Sequence, residues 1–321
     1  MGYPPRWFLP GMVFEITTRT VQERYLLRPS PVTRDLIVGV LAKAKALYDG
    51  VNIHAFVFLS NHYHLLISVT DGKDLSDFLC YVNGNVAREL GREHRWRRCA
   101  FWSKRATTIV VLDEAAQHDR MKYVLSNGVK EGLVRSPRDW PGASSVGAQL
   151  GSMTLVGKWI DRDSLRRARL RDRRVRSEDH TTCPELELTP LPAWKHLSKQ
   201  ELLAKHETLV AEIETTFATH RVLGVKRVLA LNPHSSPTDS ELRRIARGRK
   251  APVCHTTFPK LRDGFRRAYR AFVDIFRNVS LKDEGAPITL AEYPEGSFPR
   301  PSWFRTAHAS AFEELLVGLA F

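Results

Sequence analysis

The stretch LSNHYHLLISV, residues 59–69, places two histidines one residue apart at the head of an otherwise apolar run. Side chains alternate faces along a strand, so Tyr63, Leu65, Ile67 and Val69 share one side while His62, His64, Leu66 and Ser68 share the other. Two imidazoles therefore point the same way. A second apolar run, IHAFVFL (53–59), precedes them, and Ser60-Asn61 between the two runs is a hairpin signal.

Outward from this hairpin the pattern stays regular. MVFEITTRT (12–20) alternates apolar and polar residues and predicts a strand. From Thr33 to Tyr48 the apolar residues recur at helical spacing, and Asp49-Gly50 ends that helix. A second helix is expected from about Leu75 to His94, a strand at TTIVVL (107–112), and a third helix from Glu114, capped by Asp113, to about Asn127, where Asn127-Gly128 supplies a stop. Hairpin strands intermixed with helices predict an α+β fold over residues 1–152, an antiparallel sheet with helices packed on one face. If those helices cover the side carrying Tyr63, Leu65 and Val69, the histidines stand on the side left open for a ligand.

Beyond residue 152 the character changes. KWIDRDSLRRARLRDRRVR (158–176) holds nine basic residues against three acidic ones, and TTCPELELTPLPAW (181–194) is punctuated by proline, so 153–195 reads as a basic segment and a linker. Residues 196–321 read as a mainly helical accessory domain. Ser198 and Glu201 form a capping box for a helix to about His220, with Leu202, Leu209, Ile213 and Phe217 on one stripe. A further helix from about Pro259 to Asn278 buries Leu261, Phe265, Ala268, Phe272 and Ile275 and turns Arg262, Arg266 and Arg270 outward.

Lysine and arginine number 49 against 35 acidic residues, a formal charge of +14 that suits a polyanionic partner, nucleic acid before membrane. No apolar run approaches the roughly 20 residues needed to cross a bilayer. The proline-broken first residues do not read as a secretion signal, so a cytoplasmic location is expected. Four scattered cysteines without a CxxC pair argue against a zinc ribbon or a disulfide framework. A zinc set from His180, Cys183, Cys254 and His255 is weak at that spacing. The HxT triplets at His180, His206 and His255 are discounted because His206 falls inside a helix.

Within the third helix, Tyr123 and Asn127 are four residues apart and share a face. If that helix packs beside the histidine strand, two imidazoles and an amide surround one point with a phenol nearby. Each residue also has a plainer reading: core histidines satisfied by backbone carbonyls, a packed tyrosine, a C-capping asparagine. GREHRWRRCAFWSKR (91–105) interleaves Trp96, Phe101 and Trp102 with Arg95, Arg97, Arg98, Lys104 and Arg105, a mixture suited to phosphate contacts and base stacking.

HYHLLI (62–67), YVLSNGVKEGLV (123–134) and DWPGASS (139–145), in that order, resemble the REP-associated branch of the single-tyrosine HUH transposases, and the similarity covers about residues 6–150. The resemblance implies a ferredoxin-like or RRM-like sheet, a divalent cation, Mg2+ or Mn2+, held by His62, His64 and Asn127, and Tyr123 as nucleophile. It implies single-stranded DNA hairpins of repeated palindromic elements as partners and allows a homodimer. Arg19, Arg95, Arg97, Lys104, Arg105 and Lys130 are the residues expected to contact DNA. The chain departs from the family pattern at Gly128, where proline commonly follows the asparagine, and at Gly142, where an aromatic residue is common. Two other functions compete with that of a transposase: a DNA-binding regulator or architectural protein without catalysis, and a metal-dependent phosphodiesterase that uses water.

Overall fold

In a computed structural model that describes residues 5–97, 100–238, 252–282 and 293–297, the histidine run is an inner strand of a five-stranded sheet. The first half runs β1 (Val13–Arg19), α1 (Pro31–Leu47), β2 (Val51–Phe58), β3 (His62–Val69), α2 (Gly72–Glu93), β4 (Thr107–Val111) and α3 (Glu114–Lys130). Then come α4 (Val146–Gln149), β5 (Thr154–Val156), β6 (Trp159–Ile160), α5 (Arg162–Arg171), β7 (Thr181–Thr182) and β8 (Glu185–Glu187). The chain continues with α6 (Lys199–Thr216), α7 (Val225–Leu229), β9 (Cys254–His255) and α8 (Pro259–Lys282). The sheet order is β2-β3-β1-β4-β9; the first four strands are antiparallel and β9 joins β4 in parallel. With α1 and α2 as the crossovers this is the ferredoxin-like arrangement, and the expected α+β class with an antiparallel sheet holds.

β3 is buried along its whole length, because both faces of the sheet are covered. On one side Phe14, Ile16, Phe56, Phe58, Tyr63, Leu65 and Ile67 pack against α1 and α2. On the other, Val13, Val57, Leu66 and Val111 meet apolar residues of α3 and α6. The face that carries the histidines is thus not left open: α3 lies across it, and α6 packs on α3. A β-bulge between Ile53 and Ala55 keeps β2 in phase with both layers, since Ile53 and Phe56 share one face only if an extra residue, His54, is inserted.

Several local signals decide where helices begin and end. Ser30 accepts from the Thr33 backbone N–H with Pro31 at the first helical position, so α1 starts two residues before the periodicity suggests. α3 does not stop at Asn127. It runs on to Lys130, because Asn127 turns its amide back into the helix and Gly128 sits under Val134 and Trp140, where a Cβ would lie 3.3 Å from Val134 Cγ2. α8 buries Phe265, Ala268, Phe272, Val273 and Val279, but Ile275 is exposed because the contact stripe rotates toward Val273.

The proline-punctuated stretch 181–194 is folded onto the rest. β8 pairs with β5, β7 with β6, and Leu186, Leu188, Leu191 and Trp194 are buried. The basic helix α5 is tied to α2 through Arg162, which donates to both oxygens of the buried Glu89. Among the described residues no helix is long and apolar enough to cross a membrane. Cys80, Cys183 and Cys254 are free; Cys99 and Arg98 lie outside the described residues.

Two fully buried histidines outside the sheet face set an acid limit. His54 gives Nδ1 to the Thr189 carbonyl and leaves Nε2 unpartnered; His206, against Trp194, has neither ring nitrogen paired. Burial pushes both down to about 4. Between pH 6.5 and about 4 the unfolded chain therefore binds protons that the folded chain refuses, and stability drains as pH falls, by roughly 1.4 kcal/mol per pH unit for each group. Denaturant unfolding should show a flat plateau from pH 8 to 7 and a steep loss below about 6. His206→Leu should make that loss visibly shallower; an unchanged slope would show that His206 does not set the limit.

Candidate active site

The register of the sheet builds the site. Thr17 lies opposite His64 and Arg19 opposite His62, so the side chains of β1 at Glu15, Thr17 and Arg19 share the histidines' face. His62 and His64 stand edge to face with ring centroids 5.3 Å apart. Each has its Nδ1 engaged. His64 Nδ1 lies 3.1 Å from Glu15 Oε1, and His62 Nδ1 lies 2.8 Å from Asn61 Oδ1.

These partners fix the tautomers. Burial alone would raise the Glu15 carboxyl, but the close contact of His255, the hydrogen bond from His64 and the charge of Arg120 outweigh it and hold the carboxyl well below the usual carboxylate range. An ionised carboxylate only accepts, so the proton is on His64 Nδ1. Asn61 donates its amide nitrogen to the Glu23 carbonyl and carboxylate, both at 3.3 Å, which turns Oδ1 to His62 and puts the proton on His62 Nδ1. Burial, the neighbouring His64, Arg19 and Lys130 keep His62 neutral by lowering its pKa far below the ordinary value. His62 thus carries a lone pair on Nε2, the ligating form, and neither ring has a hydrogen-bond partner on Nε2 among the described residues.

α3 brings the rest. The Tyr123 ring meets His64 edge to face at 5.3 Å, and Lys130, seven residues on, is near enough to act on His62. Asn127 lies between them on the same helical face. It is buried; its amide nitrogen donates to the Tyr123 carbonyl at 2.7 Å while its Oδ1 has no partner. A buried amide oxygen without a donor is costly unless something outside the protein's own hydrogen bonds satisfies it. Two imidazole nitrogens and this oxygen fit a divalent cation, with nitrogen donors suiting manganese or a later transition metal better than magnesium. Among the described residues no group of three or more histidine, cysteine or acidic side chains could hold a metal.

Tyr123 is half-buried, with the Arg120 guanidinium 4.7 Å and the Lys130 ammonium 4.4 Å from its ring centre. Lys130 Nζ lies 3.4 Å from the phenolic oxygen. Arg19 pairs with Glu23 at 3.0 Å and remains one third exposed. Arg95 and Arg97 are exposed on the loop after α2. Lys104 and Arg105 are exposed too, but they line a groove with Phe14, Val110 and Tyr269, residues of the opposite face, so the structure does not bring them to the histidines.

The aromatic residues interleaved with those charges are used by the protein itself. Phe101 is buried, Trp102 gives its indole N–H to the Asn83 carbonyl and meets Tyr63 edge on, and Trp96 packs beside His234 and Arg24. Trp140 is buried with its indole N–H on the Phe58 carbonyl, and Gly142 makes room for it: a Cβ there would lie 2.6 Å from the indole nitrogen. Glu15, Asn61, Arg120 and His255 belong to the site although the sequence motifs do not reach them.

No protein-family model matches the chain. A Haemophilus influenzae protein whose name places it among the REP-associated tyrosine transposases is 26% identical over 99 residues, 28% of this chain and 56% of the relative. The chain resembles REP-associated tyrosine transposases. The match spans about half the length of that relative. Among solved structures, a REP-associated tyrosine transposase bound to a REP hairpin matches with 20% identity and a TM-score of 0.40, covering 47% of this chain and 86% of that one. A Deinococcus radiodurans r1 protein named as a transposase matches with 17% identity and a TM-score of 0.28, covering 39% and 95%.

Proposed function

We propose that this chain is a metal-dependent single-stranded DNA endonuclease and strand transferase that works through a 5′-phosphotyrosine intermediate on hairpins of repeated palindromic elements. The observation that carries the reading is the placement of Tyr123 against His64, beside two imidazoles whose Nδ1 atoms are engaged and one unpartnered amide oxygen. In this reading the Tyr123 oxygen forms a bond to phosphorus and its proton leaves to solvent. The bond from phosphorus to the 3′ oxygen breaks, that oxygen takes up a proton, and the 5′ phosphate stays on the enzyme as a tyrosyl diester. Attack by a 3′ hydroxyl reverses each step and rejoins DNA without ATP.

His62, His64 and Asn127 would hold the divalent cation, which when bound polarises the scissile phosphate. Lys130 and Arg120 offer fixed positive charge beside the reacting oxygen, and Arg19 extends that charge along β1 past His62. Labelled hairpin oligonucleotides incubated with the protein and Mn2+ should give a slowly migrating adduct on a denaturing gel. Cleavage without an adduct would replace this reading with a hydrolytic phosphodiesterase, and binding without cleavage with a DNA-binding regulator.

Asn127 separates ligation from structure. Asn127→Ala should lower Mn2+ affinity about tenfold or more, and the unfolding free energy should fall by only about 1 kcal/mol, the share of the Nδ2–H bond to the Tyr123 carbonyl, since Oδ1 has no protein bond to lose. An unaltered Mn2+ titration in that variant would remove Asn127 from the ligand set.

A further inference from the structure

The C-terminal half reaches into the site through one short segment. β9 pairs with β4 so that His255 sits opposite Val111, on the face that carries Glu15 and the two histidines. Its Nε2 lies 3.0 Å from Glu15 Oε2, while Glu15 Oε1 holds His64 Nδ1. The next two residues are clamped as well. Thr256 and Thr257 donate hydroxyl protons to Asp113, and the Thr257 backbone N–H joins them at 2.9 Å; this is the aspartate that caps α3 by accepting from the Ala116 N–H. One strand end is thereby tied both to the carboxylate behind His64 and to the start of the helix that carries Tyr123.

We propose that His255 is a positioning residue of this site: through Glu15 it fixes the ring orientation and tautomer of His64, so that the C-terminal half completes an arrangement that the first 150 residues leave open. The inference rests on reading His64 as a metal ligand, and the physical step is local. A buried carboxylate with a single donor is free to swing or to exchange its partner. The His255 ring stands with Nε2 3.0 Å from the second oxygen, outside hydrogen-bond geometry, and limits that swing, and with it the direction of the His64 Nδ1–H bond. Arg120, 3.5 Å from the same oxygen, is a weaker brace. A carboxylate on a ligating imidazole also raises the basicity of the opposite nitrogen, and loss of such a partner typically costs 10- to 100-fold in metal affinity.

The full chain labelled with 15N-histidine, free of metal, tests this by two-bond 1H–15N correlation of the imidazole rings. In the wild type His64 should show a single Nδ1–H tautomer. In His255→Ala the His64 pattern should pass to a mixture of tautomers, and Mn2+ affinity should fall about tenfold. His255→Gln, which keeps an N–H donor near Glu15, should restore the single tautomer and bring the affinity within about threefold of wild type. A His64 pattern and Mn2+ affinity in His255→Ala equal to wild type would overturn the proposal. So would equal losses in the alanine and glutamine variants, since these would show a packing role only. Wild-type protein that takes up no Mn2+ sinks the metal reading instead, and the tautomer of His64 in metal-free His255→Ala still decides the positioning role.

Discussion

Tyr123→Phe should abolish adduct formation, by at least ~10³-fold, and leave hairpin affinity within about twofold, since removal of a nucleophile is among the largest single-residue effects known in catalysis. The substitution deletes one oxygen. The ring keeps its contacts with His64, Arg120 and Lys130, and among the described residues the oxygen's one polar contact is with Lys130 at 3.4 Å. Stability should therefore move by no more than ~1 kcal/mol. Gel analysis of the adduct, fluorescence anisotropy of a labelled hairpin and a denaturant titration measure the three quantities separately. An adduct of undiminished yield in Tyr123→Phe would place the nucleophile elsewhere.

Tyr63 supplies the matched control. It is one residue from each histidine in the sequence yet on the opposite face, fully buried, with its hydroxyl on Asn83 Oδ1 at 2.8 Å, and burial pushes that hydroxyl well above the ordinary phenol range. Tyr63→Phe should lose about 1 kcal/mol of stability from the broken hydrogen bond and form adduct at the wild-type rate. The contrast between the two phenols follows from strand alternation alone.

Much of the site was legible because it is local. Alternation along β3 places His62 and His64 together, and helical spacing places Tyr123 and Asn127 together; both hold in the structure. Glu15 was not legible. In MVFEITTRT it occupies the polar phase of an alternating strand, a pattern that reads as a solvent-facing carboxylate, and only the partners from β3, α3 and β9 make it a buried one. His255 lies 191 residues beyond His64, and no periodicity reports a contact across that distance. The same limit hid the pairing of β5 with β8, three residues each and 31 apart at their starts.

Other differences arise where a tertiary contact overrides a local rule. Asn127-Gly128 is a sound stop signal, but packing of Gly128 beneath Val134 and Trp140 rewards another turn of helix. The basic-aromatic run 91–105 suits nucleic acid by composition, while the fold spends its aromatic rings on Tyr63, Asn83 and His234 and leaves the charges outside. Ser30-Pro31 was a readable helix start, masked because the exposed Val32 and the polar Thr33, Arg34 and Asp35 separate it from the first apolar repeat at Leu36.

Gly39→Ala should be strongly destabilising, costing about 3 kcal/mol or more. α1 and the 157–158 backbone meet with no side chain between them: a Cβ at Gly39 would lie 2.0 Å from the Lys158 carbonyl oxygen, and one at Gly157 would lie 2.0 Å from the Gly39 nitrogen. Both obstacles are backbone, so no rotamer change relieves the clash, and overpacking of this kind typically costs 1–3 kcal/mol before anything else is lost. Moving the loop away would also break the Lys158 N–H bond to the Asp35 carbonyl, 2.7 Å long, and draw Lys158 from the Asp35 carboxylate. The strain is released on the α1 side of the sheet, whereas His62, His64 and Tyr123 face α3. Gly39→Ala that still folds should therefore bind Mn2+ as the wild type does while its denaturation midpoint drops. A variant with wild-type stability would mean that residues 154–160 do not press on α1, and a variant with normal stability but weakened Mn2+ binding would mean that this segment acts on the site directly.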